Sequence, residues 1–85
     1  MPDWSQQLRS ETRSILSLVN IEPFAMNRIM GRNGVILKNS DGRFGLVYLE
    51  ACQTKCFQIT GIETQNTIDS YASIEDLLSG GWVVD

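Results

Sequence analysis

The sequence predicts an α+β fold: an N-terminal helix, an antiparallel β-meander of three to five strands, then a short C-terminal helix and a terminal strand. Three observations carry this. Apolar residues recur at helical spacing before residue 20. Turn signals punctuate apolar runs between Ile29 and Ile62. A capped acidic segment runs into Gly80-Gly81 and the apolar close Trp82-Val83-Val84.

The first element is an amphipathic helix over Trp4 to Val19. Trp4, Leu8, Ile15 and Leu18/Val19 fall near one stripe, Gln, Arg, Glu and Ser fill the rest, and Asp3 is the expected N-cap. Glu11 has no basic residue four positions away, so packing on the sheet rather than surface pairing must hold this helix. From Asn20 to Arg28 the pattern is loose. Pro23 can be the first residue of a short helix, but Phe24, Met26 and Ile29 are read as a strand, because a turn at Asn33-Gly34 needs an upstream partner. A helix-turn-helix reading of this region is disfavoured by Gly31 and Gly34.

The strands follow from turn chemistry. Arg32-Asn33-Gly34 and Ser40-Asp41-Gly42 offer residues that tolerate positive φ, and Cys52-Gln53-Thr54-Lys55 is read as a third reversal. Phe44 to Leu49 is apolar at both parities, which predicts a central strand covered on both sides. Cys56 to Ile62 alternates Phe57 and Ile59 with Gln58 and Thr60, a half-exposed strand. Thr64 to Ser70 is a polar connection, with an extended piece expected at Thr67 to Tyr71. Ser73 with Asp76 three residues on starts a helix, Glu75 and Asp76 suit its N-terminal turn, Ile74, Leu77 and Leu78 form its buried face, and Gly80-Gly81 end it.

At 85 residues the chain is expected to be one domain, residues 1–85, burying about two thirds of its unfolded surface. No apolar run approaches a membrane span and the polar start is no secretory signal, so a soluble cytoplasmic protein is expected. The net charge of −3 is unevenly distributed. Residues 23–60 carry Arg28, Arg32, Lys38, Arg43 and Lys55 against Asp41 and Glu50, whereas residues 61–85 carry Glu63, Asp69, Glu75, Asp76 and Asp85 with no base. Such asymmetry can select a partner electrostatically, or simply decorate solvated turns and helix ends.

The chemistry-bearing residues are few. With no histidine, the commonest general base and metal ligand and every Ser-His or Cys-His pair are missing. The glycines form neither G-x-x-x-x-G-K-[ST] nor G-x-G-x-x-G. Glu75-Asp76 are adjacent and do not face one substrate. Cys52 and Cys56 are too few for a structural zinc site, and the reading is of reduced thiols, with a redox switch as the alternative should they face each other across a hairpin.

No enzyme activity, cofactor or metal is therefore expected. The expected function is a regulatory or protein-binding module with a protein partner, no membrane contact, and self-association through a sheet edge as an option. The expected contact residues are Arg28, Arg32, Lys38, Arg43, Glu75 and Asp76. Two alternatives stand beside it. One is a nucleic-acid-binding domain using the basic hairpins, with Phe44, Tyr48 and Phe57 available to stack. The other is an inhibitor whose acidic tail mimics nucleic acid.

Overall fold

The computed structural model describes residues 4–19, 21–29 and 31–85, and these form an α+β fold. In chain order the elements are α1 (Gln6–Leu16), α2 (Glu22–Met26), β1 (Arg28–Ile29), β2 (Arg32–Asn39), β3 (Phe44–Tyr48), α3 (Leu49–Thr54), β4 (Phe57–Gly61), β5 (Thr67–Tyr71), α4 (Ile74–Ser79) and β6 (Trp82–Val84). The strands make one antiparallel sheet in the order β1-β2-β3-β4-β5. β6 pairs the end of β2 through Leu37–Val84, Lys38–Val83 and Asn39–Trp82. The terminal strand thus docks on the meander, as its apolar composition predicts.

Strand alternation divides this sheet into two unlike faces. Val35 and Leu37 of β2, Val47 of β3, Phe57 and Ile59 of β4, and Trp82 and Val84 of β6 share one parity and lie in a single buried cluster. All four helices feed that same cluster, with Leu16 from α1, Phe24 from α2, Cys52 from α3 and Leu77 from α4. Trp82 is fully buried there and donates through Nε1 to Asp69 Oδ2 at 3.2 Å. Gly45 makes the space. A Cβ at that position would stand 2.6 Å from Ile59 Cγ2 and 3.5 Å from the Trp82 ring.

Phe44 to Tyr48 is indeed the central strand, between β2 and β4, but the expected cover on both sides is incorrect. Both terminal helices pack on the Val47 face and on each other, where Arg13 and Glu75 form a two-pronged ion pair at 2.7 and 3.1 Å. The opposite face carries Ile36, Phe44, Leu46 and Tyr48 with no buried helical side chain among the described residues. Phe44 is 53% exposed.

Local chemistry explains the other departures. Residues 22–26 are helical rather than extended. Pro23 suits the first turn, where its missing N–H had no partner to lose, Phe24 drops into the core, and Asn27 Nδ2 bonds the Pro23 carbonyl at 2.9 Å. The first hairpin closes across Gly31, whose φ of +78° suits glycine, with Ile29 opposite Arg32. Asn33-Gly34 lies within β2. Gly34 eases a close approach, since a Cβ there would press within 3.1 Å of the Val47 carbonyl. The expected reversal at Cys52-Gln53-Thr54-Lys55 is instead α3, closed by Lys55 at φ +58°, whose N–H bonds the Cys52 carbonyl.

Other expectations match. Ser40-Asp41-Gly42 turns the chain from β2 to β3, with Asn39 Oδ1 accepting from the Asp41 N–H at 3.0 Å. Thr67–Tyr71 is extended, and Ser73 caps α4 by accepting from the Asp76 N–H at 3.1 Å. At α1 the observed cap is Ser5, which accepts from the Leu8 N–H; the expected cap, Asp3, lies outside the described residues, as do Asn20 and Met30. Thr12 and Leu16 are its most buried positions, while Val19 is 80% exposed.

Candidate functional site

The face that receives no buried helical side chain among the described residues holds the candidate site. Its residues come from alternate positions of β2, β3 and β4: Arg32 and Lys38, Phe44 and Tyr48, Gln58 and Thr60. Leu46 and Val83 are buried on this face too, outside the helix-covered cluster. α3 closes one end, because its inward residues Leu49 and Cys52 serve the core while Glu50, Ala51 and Thr54 turn toward the groove. The loop after β4 closes the other end with Gln65. Between them runs a groove of about 600 Å³ along β4, with Thr67 on its far side.

At the α3 end, Arg32 lies flat over Tyr48, its Cζ 3.7 Å from the ring centroid, and donates to Glu50 Oε2 at 3.2 Å. Stacking and pairing together fix a guanidinium that would otherwise sample many rotamers. The Glu50 backbone N–H, followed by Arg32, holds the Glu50 carboxyl below the usual carboxylate range. Glu50 is therefore a fixed anion at neutral pH, unsuited to carrying a proton to or from a substrate.

The expected contact residues do not converge. Arg32 and Lys38 share the open face but sit at opposite ends of β2, six residues and about 20 Å apart. Arg28, opposite Asn33, has the parity of the covered face. Arg43 also turns that way, bonding Asp41 at 2.6 Å and Asp69 at 3.5 Å with its Cζ 5.2 Å from the Trp82 ring. Lys38 lies 3.8 Å from Asp85 and 5.1 Å from the Trp4 ring. Glu75 and Asp76 belong to α4 on the covered side, Glu75 taken up by Arg13.

The cysteines part company as well. Cys52 is buried in the core and Cys56 is exposed at the groove, both as free thiols. Burial pushes the Cys52 thiol up to about 12, so it is a poor nucleophile and a poor partner for thiol exchange. Among the described residues no group of three or more His, Cys, Asp or Glu side chains could hold a metal ion, and no helix is long and apolar enough to cross a membrane.

Glu50, Gln65 and Thr67 are site residues that sequence reasoning missed, and Tyr48 was read only as a ring available to stack on nucleic acid. The outward parity of Gln58 and Thr60 was the available signal. Carried across to β3 it places Tyr48 on the same face, but only a known strand register makes that step. The chain matches no protein-family model, no curated protein and no solved structure.

Proposed function

We propose that this protein is a non-enzymatic cytoplasmic interaction module that docks a partner protein on the open face of its sheet, around Tyr48 and Arg32. One observation carries the reading. A central strand that buries Val47 under helices leaves Phe44 and Tyr48 on the opposite face, where no described helix buries a side chain, beside a groove and a guanidinium stacked on Tyr48. An aromatic ring and an arginine held in place before binding are the residue types that dominate protein interfaces, because little side-chain entropy remains to be lost. Two free thiols, one exposed, suit a reducing compartment.

Nucleic acid is the weaker alternative. Arg32, Lys38 and Arg43 each already hold a carboxylate within 4 Å, so a phosphate would have to displace it, and the net charge of −3 opposes the approach. The acidic-mimic reading loses ground for the same reason. Asp69, Glu75 and Asp85 of the acidic segment are engaged by Arg43, Arg13 and Lys38.

The test is photo-crosslinking in the source cell, with benzoylphenylalanine in place of Tyr48 or, as a control, Ser10 on the exposed side of α1. A discrete protein adduct from position 48 alone, lost on Arg32→Glu, is expected. Equal adducts from both positions, or an adduct removed by nuclease, would refute the reading.

A further inference from the structure

We infer that the groove along β4 receives a short, extended and uncharged segment of the partner protein, its backbone amides meeting the side chains of the groove floor. This rests on the module reading above and adds the chemistry of the occupant.

The charge pattern inside the groove points that way. Among the described residues its one cation and one anion, Arg32 and Glu50, are paired with each other at 3.2 Å, so these residues present no unmatched charge to attract a phosphate, a carboxylate or an ammonium group. The rest of the polar lining is neutral. Gln58 and Thr60 on β4, Thr67 on β5 and Gln65 in the loop offer amide and hydroxyl groups that both donate and accept, and no other described residue engages these side chains. A ligand can therefore bond them without breaking an internal bond. A peptide backbone alternates donor and acceptor in the same way and carries no charge.

Shape sets the length. From Cys56 at the α3 end to Thr60 is four residue steps, about 13 Å of extended chain, so roughly four residues of an occupant fit along the floor. Tyr48 and the guanidinium stacked on it line the α3 end of the groove.

Selection of a phage-displayed library of random dodecapeptides on the intact domain tests this. The enriched peptides are expected to share a run free of Lys, Arg, Asp and Glu. Their binding should weaken about tenfold or more in the double variant Gln58→Ala, Thr60→Val, whose thermal midpoint stays at that of the parent. Enrichment of acidic or basic motifs, affinity unchanged by the double variant, or no enrichment over bare resin would overturn the inference. So would a solution mass of two copies that reverts to one in the double variant, since it would assign the groove to self-association. If any of these occurs while position 48 still crosslinks a partner protein, the module reading stands and only the neutral-segment inference falls.

Discussion

The two faces of the sheet are built from the same strands, residue by alternate residue, yet only one of them receives the buried side chains of the described helices. On one, Val35, Leu37, Val47, Ile59 and Trp82 meet side chains from four helices, and burial is nearly complete. On the other, Leu46 and Val83 are buried outside that cluster, Ile36, Tyr48 and Thr60 are half-buried, and Phe44 and Gln58 are exposed. Between Val47 and Tyr48 a single step along the chain separates a buried side chain from a half-buried one and, on the reading proposed above, stability from recognition. A substitution at position 47 and one at position 48 should report on different properties, although they are covalent neighbours.

The largest effect is expected on the covered face. Trp82→Ala empties the slot beside Gly45, removes the indole donor from Asp69, and should cost about 3–5 kcal/mol, read as a lower midpoint in urea denaturation. A small effect there would mean that the face is not the core. Next is the α1 junction with β6. The buried Thr12 hydroxyl donates to the Leu8 carbonyl at 2.8 Å and accepts from the Val84 N–H at 3.0 Å. Thr12→Val keeps the shape and strands that N–H, for a loss of about 1–3 kcal/mol and faster hydrogen exchange at Val84.

The cysteines sharpen the comparison by chemistry rather than by energy. In the folded protein, iodoacetamide near pH 8 should label Cys56 and spare Cys52 until denaturant is added, with mass as the readout. The sign of the linked pH effect is set by the thiol's raised value. The unfolded chain releases the Cys52 proton above its ordinary 9.0 and the folded chain holds it to about 12, so this stabilisation is complete below pH 9 and is lost between those values. Alkaline melts of the parent should fall more steeply than those of Cys52→Ala. Glu75 has the opposite sign. Arg13 lowers its value, so the contribution of that exposed pair is present at neutral pH and lost in acid, and added salt should shrink it. The smallest change in stability is expected on the open face, where Gln58→Ala should stay within about 0.5 kcal/mol of the parent while weakening partner capture.

What the sequence made legible was local. Ser73 and Asp76, Gly80-Gly81 and the Asn39 to Gly42 turn each carry their chemistry within a few residues, and each lies where expected. The short helices α2 and α3 were not settled by sequence, because five or six residues give too little periodicity to outweigh a strand reading through Phe24 and Met26 or a turn reading at Cys52 to Lys55, and Phe24 and Cys52 declare their role only against a formed core. Asn33-Gly34 misled because its glycine answers to the close approach of β3 rather than to a turn. The site was legible only in part. Arg32 was a candidate from its charge, but its stacking on Tyr48 and its pairing with Glu50 depend on strand register, as do the pairs Arg43–Asp69 and Lys38–Asp85, which disperse the other basic candidates. Both parities of Phe44 to Leu49 are apolar, and a sequence with two apolar faces does not say which one receives the helices.

Solvent paramagnetic relaxation, measured on the side chains of adjacent positions, tests that division most directly. With a soluble gadolinium chelate, Tyr48, Gln58 and Thr60 should relax rapidly while Val47, Phe57 and Ile59 remain protected. Equal protection of both sets would mean that a second layer covers the sheet, and the docking surface would not exist.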